Sequence, residues 1–137
     1  MDEDRVRHSY KVAIKMVEIG KNKNLSDSEL NELFLLGYLH DIGYQFGSSK
    51  DHAKVGGEIL KNNNYPYWKE VYYHGIPTTE YESLYLDILN EADMKVDKYG
   101  NDVGFEKRLE DIESRYGIDS NVYKSCFELI NSLKNKK

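Results

Sequence analysis

Apolar residues recur at the three-and-four spacing of an α-helix along almost the whole chain, and only two prolines, Pro66 and Pro77, interrupt it. The lines are Val6, Tyr10, Ala13 and Val17; Leu30, Leu33, Phe34 and Gly37; Val55, Ile59 and Leu60; Leu84, Ile88, Leu89, Ala92 and Val96; Phe105, Leu109, Ile112 and Tyr116; and Val122, Cys126, Leu129 and Leu133. This pattern predicts an all-α fold of about seven helices, with no need for a strand. No repeat and no Pro-, Gly- or Ser-rich linker divides the 137 residues, so residues 1–137 read as a single helical bundle. Gly20, Gly100 and Gly117 are expected as C-terminal stops. Ser26 with Glu29, and Thr79 with Glu82, are expected as helix starts, because a hydroxyl and a carboxylate three apart satisfy free backbone N–H groups.

Composition narrows the function. Nineteen basic and twenty-four acidic side chains leave a net charge of −5, a surface that repels phosphate backbones, so a nucleic-acid partner is not expected. The single cysteine, Cys126, can form no internal bridge and no paired-thiolate zinc site. On its stripe with Val122 and Leu129 it reads as an inert core thiol, and the chain as cytoplasmic. The start Met1-Asp2-Glu3-Asp4 is acidic where a signal peptide is basic, and the apolar runs are short, so no membrane association is expected.

The four histidines carry the chemistry. At roughly 100° per residue, His8 lies in line with Val12 and Ile19, His40 continues Leu33, and Asp41 continues Leu30, Phe34 and Gly37. His52 heads the line of Val55, Gly56 and Ile59; His74 follows Val71 by a turn; Asp93 lines up with Leu86 and Leu89. Desolvating a carboxylate costs several kcal/mol unless a charge or hydrogen bonds compensate it. No lysine or arginine shares a helical line with both Asp41 and Asp93, whereas four imidazoles and two carboxylates suit a divalent transition metal. Six donors exceed what one catalytic ion with open water positions requires, which leaves room for two. Against this stands the fact that one inward histidine is more often a satisfied core residue than a ligand. A His-Asp dipeptide alone also carries little weight.

In order and rough spacing, His8, then His40-Asp41-Ile42-Gly43, then His52, His74 and Asp93 resemble the HD-domain superfamily of metal-dependent phosphohydrolases over residues 5 to 100. The resemblance implies that His8, His40, Asp41 and Asp93 hold one metal ion. It implies that His52 and His74 complete a second site with Asp41 bridging, and that His40 and Asp41 are the catalytic pair. It favours Fe or Mn, although imidazole and carboxylate donors also accept Zn, Co and Ni, with Mg a further option. The small bacterial HD-type hydrolases of diadenosine tetraphosphate are similar in length and in the two extra histidines. The chain departs from the frequent His-Asp-Ile-Gly-Lys in carrying Tyr44 at the lysine position, and the run Met94-Lys95-Val96-Asp97 is unlike those hydrolases.

The function implied is hydrolysis of a small phosphate ester, a nucleotide among the candidates, by a metal-activated hydroxide. Lys54 and Lys95 are the basic groups nearest in sequence that could meet a substrate phosphate; the alternative leaves both as solvated lysines. Tyr65, Tyr67, Trp68, Tyr72, Tyr73, Tyr81 and Tyr85 crowd around His74. They could stack on a nucleobase, but read better as core and edge residues of short helices or as part of a homodimer contact. The competing functions are a non-catalytic metal- or nucleotide-binding regulatory module and a structural helical domain with incidental histidines.

Overall fold

A computed structural model describes residues 2–46, 51–77 and 80–136. Seven α-helices run in the order α1 (Glu3–Asn22), α2 (Asp27–Leu39), α3 (His52–Asn62), α4 (Trp68–Tyr73), α5 (Leu84–Lys95), α6 (Gly104–Tyr116) and α7 (Asn121–Asn135), with a 3-10 turn at Ile42–Gln45 between α2 and α3. An isolated antiparallel bridge, Val96 to Asp102, is the one ladder pair among the described residues. The all-α expectation is met.

Cap chemistry explains several boundaries. The Asp2 carboxylate accepts from Arg5 N at 2.9 Å to open α1, and Ser26 and Glu29 form the expected reciprocal capping box of α2. The start of α5 is set by Ser83, whose hydroxyl accepts from Leu86 N at 3.0 Å; Thr79 lies outside the described residues. Of the expected stops, Gly117 ends α6 at φ 89°. Gly20 does not end α1, which runs on to Asn22 before Asn24 takes the left-handed turn at φ 60°. A Cβ on Gly20 would lie 2.7 Å from a Leu33 methyl, so this glycine serves the close approach of α2 instead. Gly100 belongs to the loop after α5 and not to a helix end.

Two apolar clusters share α5. Val12, Met16, Leu33, Leu36, Val71, Ile88 and Leu89, with their neighbours, fill the space among α1, α2, α4 and α5; Met94, Phe105, Leu129, Ile130 and Leu133 form the second, among α5, α6 and α7. Each such side chain contributes roughly 1.5–3 kcal/mol by leaving water. The periodicity misassigned one face of α1. Val6 and Tyr10 are exposed, and the buried line is His8, Ser9, Val12, Ala13, Met16 and Ile19. Both lines repeat every three or four residues, and only the one facing α2 and α5 is covered. Leu84, Tyr116 and Val122 are likewise exposed. On α6, Asp111 pairs with Arg115 one turn on. Cys126 is half-buried against the second cluster, where burial pushes its thiol pKa up. No helix among the described residues is long and apolar enough to cross a membrane.

Candidate metal centre

Helix ends deliver most of the cluster. His40 is the residue at which α2 stops, Asp41 follows it out of helical geometry, and the 3-10 turn reverses the chain. Gly43 in that turn faces the His52 carbonyl, where a Cβ would lie 1.7 Å from the oxygen; only glycine lets α3 begin so close. His52 is thus the first residue of α3, and His74 is the C-terminal cap of α4. The Asn90 side chain accepts from Gly75 N at 2.8 Å and fixes the turn that follows His74. His8 and Asp93 come from the bodies of α1 and α5.

All six side chains meet in one place. His8 Nε2 is 2.9 Å from Asp93 Oδ1 and 3.7 Å from Asp41 Oδ2, while His40 Nε2 is 3.3 Å from both of those oxygens. On the other side of the same carboxylate, His52 Nε2 and His74 Nε2 each lie 3.4 Å from Asp41 Oδ1 and 3.3 Å from one another. The two oxygens of Asp41 therefore face two different pairs of imidazoles. His40, Asp41, His74, His8 and Asp93 are all buried, and His52 is the most open, with 22% of its side chain exposed.

The outer nitrogens are committed to backbone carbonyls. His8 Nδ1 donates to Asp97 O at 2.8 Å, His40 Nδ1 to Gly37 O at 2.6 Å and His74 Nδ1 to Val71 O at 2.6 Å. A carbonyl can only accept, so each Nδ1 carries hydrogen and each neutral ring turns an Nε2 lone pair inward. In α2 and α4 the accepting carbonyls belong to the last turn, where i→i+4 partners run out, so a histidine three residues on is a natural cap; Val71 O also accepts from His74 N at 3.4 Å.

The residues present fit a metal. Donors about 2.0–2.2 Å from one ion lie about 3.0 Å apart in octahedral and about 3.5 Å apart in tetrahedral coordination, the range spanned here. His40 Nε2 is buried and has no hydrogen-bond partner. His52 Nε2 lies 3.3 Å from the inward Nε2 lone pair of His74, close enough for the two nitrogens to share a proton or a cation. Three overlapping sets of ligand atoms, His8 with His40 and Asp41, His40 with His74 and Asp93, and Asp41 with His52 and His74, each lie within 4.8 Å. Electrostatics agree. Burial opposes charge on His40, but Asp41 and Asp93 outweigh it and hold the imidazole well above its ordinary pKa. Burial likewise opposes charge on the two carboxylates, and His40 nevertheless keeps both well below their ordinary range.

The expected phosphate lysines fare differently. Lys95 is bound elsewhere: its Nζ is 3.0 Å from Glu91 and lies over the Phe105 ring, because two residues past Asp93 is roughly 200° round the helix. Lys54 is exposed and stands at the same angle from His52. A cation that does stand beside the cluster is Arg5. Its guanidinium carbon lies 3.3 Å from the Tyr44 ring centroid, and that ring stacks on His52 at 4.1 Å and 15°. Arg5 precedes His8 by one turn, so the (i, i+3) relation was available in the sequence. Three of the six tyrosines, Tyr67, Tyr81 and Tyr85, bind glutamates that periodicity alone does not mark. Tyr67 and Tyr85 donate to Glu32, at 2.5 and 2.8 Å, and Tyr81 and Ser83 donate to the buried Glu70, each at 2.7 Å.

A family model described as HD domain matches residues 5–114, a span that contains all six clustered residues. No curated protein and no solved structure matches the chain. The matched family is in general one of metal-dependent phosphohydrolases. With most of its length matched and a donor cluster able to hold metal, this chain belongs to the HD-domain family.

Proposed function

We propose that the protein is a two-metal phosphohydrolase acting on a nucleotide or another small phosphate ester. The observation that carries this reading is the division of Asp41: Oδ2 faces His8 and His40, and Oδ1 faces His52 and His74. Bound divalent ions would lower the pKa of water and offset charge on phosphoryl oxygens. His8, His40, Asp41 and Asp93 would hold one ion, and His52, His74 and Asp41 the other, with Fe or Mn favoured by the family resemblance. The chain's own part is preorganisation. Backbone carbonyls hold three imidazoles in the required tautomer, so those donors need no rearrangement. Arg5, spread over Tyr44 beside His52, would be the cation among the described residues to meet a phosphoryl oxygen at the His52 side. The overall negative charge favours a small substrate over a polyanion.

The test is release of phosphate or nucleoside products from a panel of phosphomonoesters, phosphodiesters and dinucleoside polyphosphates, with Mn or Fe, beside elemental analysis of the same preparation. Metal-dependent turnover of one class supports the reading. Two bound ions without turnover would make this a regulatory binding module, and protein that takes up no metal would leave only a structural role.

A further inference from the structure

The loop between α5 and α6 is more tightly built than a connection requires. The Asp97 carboxylate accepts from Tyr99 N and Asn101 N, both at 2.9 Å, and Asp97 N donates to Asn101 O at 2.8 Å, closing a small ring of backbone. Gly100, at φ 90°, donates its N–H to Asp97 O at 3.0 Å and sits on the Arg7 and Lys11 stems of α1, where a Cβ would come within 2.9 Å of Arg7 Cγ. On the same helix Lys15 is 2.8 Å from Asp102, and Val103 N donates to Lys95 O at 2.8 Å, so the loop is fastened to α1 and to the end of α5. The carbonyl in the middle of this device, Asp97 O, is the one that accepts from His8 Nδ1.

We propose that Asp97 is a positioning residue for the His8 side of the metal centre, a role that rests on the two-ion reading above. The Asp97 carboxylate never reaches the donors. It folds residues 97–101 so that its own carbonyl stands where His8 must place Nδ1–H, which turns His8 Nε2 toward Asp93 and Asp41. His40 and His74 take their carbonyls from their own helices, three residues back. His8 lies in the middle of α1, where the carbonyls are already engaged, so it needs an acceptor from elsewhere in the chain. The loop supplies one.

The test uses the full chain, stripped of metal and titrated with Mn2+, together with exchange of the His8 Nδ1–H followed by nitrogen-15 NMR in the Zn2+-loaded protein. Asparagine can still accept backbone N–H bonds in such a turn, so Asp97→Asn is expected to bind two ions as the wild type does. Asp97→Ala is expected to weaken one ion about 10- to 100-fold, to leave the other unchanged and to expose the His8 Nδ1–H to exchange. Wild-type affinity for both ions with a still-protected Nδ1–H in Asp97→Ala would overturn the proposal while the two-ion reading stood. Equal loss of both ions would also overturn it, as a general loss of structure. Wild-type protein that binds no Mn2+ would end both. Should Asp97→Ala fail to fold, Asp102→Asn decides: removing the Lys15 clamp should weaken one ion about two- to five-fold, and an unchanged or equal effect at both ions refutes the role.

Discussion

Replacing Asp41 by asparagine keeps the shape of the side chain and removes its charge, which separates a ligand from a packing residue. In the wild-type protein one Asp41 oxygen serves His8 and His40 and the other serves His52 and His74, so the substitution strikes both ion sites at once. An ion present at 100 times its dissociation constant stabilises the folded state by about 2.7 kcal/mol, and two such ions by about 5.4 kcal/mol. At roughly 3–4 °C per kcal/mol for a chain of this length, the metal-loaded wild type should melt about 15–20 °C above metal-loaded Asp41→Asn. In chelator the gap should narrow without closing: the metal-dependent part disappears, and what remains is the loss of the ionised Asp41 beside His40, which leaves that imidazolium paired with Asp93 alone. The assay is thermal unfolding of both proteins with Mn2+ and with chelator, alongside elemental analysis. An equal deficit in both conditions would make Asp41 a structural residue, and an Asn variant that keeps either ion tightly would refute the bridge.

Three further outcomes follow. His52→Ala should retain about one ion per chain where the wild type retains two, because Asp41 Oδ2, His8, His40 and Asp93 remain; loss of both would contradict two separable sites. Arg5→Ala should lower kcat/KM about 10- to 100-fold with metal content unchanged, the cost of one charge-assisted contact, whereas Lys95→Ala, already held by Glu91, should change it less than about two-fold; the reverse order would restore the lysine. The pH dependence of stability should change sign with metal. Without it, the raised His40 pKa contributes stability that is complete below about pH 6.5 and fades as pH rises through the folded value. The depressed Asp41 and Asp93 pKa values contribute above about pH 4 and are lost as pH falls through theirs. The chelated protein should therefore melt lower at pH 9 than at pH 6. The metal-loaded protein should melt higher over the same interval, because deprotonated donors bind better. A chelated protein that gains stability from pH 6 to 9 would refute this.

Local chemistry was enough for the fold class and for picking out six side chains that cluster. Helical spacing predicted the all-α architecture, the Ser26–Glu29 box placed a helix start, and the inward lines of His8, His40, Asp41, His52, His74 and Asp93 named six residues that the structure gathers into one cluster. For His8 and Asp93 the reading depends on position around the residue's own helix; Asp41 and His74 lie just past helix ends, and Phe34, on the line expected to carry Asp41 inward, is exposed. What failed depended on which face another helix covers. Val6 and Tyr10 repeat as regularly as Val12 and Met16, and nothing in the repeat says that α2 and α5 lie over the second line only. The same holds for the groups around the donors. Lys95 lies close to Asp93 in sequence yet points elsewhere, while Arg5 comes from α1 and meets Tyr44 across a different part of the chain. The carbonyl that turns His8 inward comes from Asp97, eighty-nine residues away. Periodicity encodes direction around a helix axis, but a contact between two axes depends on how the helices pack, and that only the tertiary structure decides.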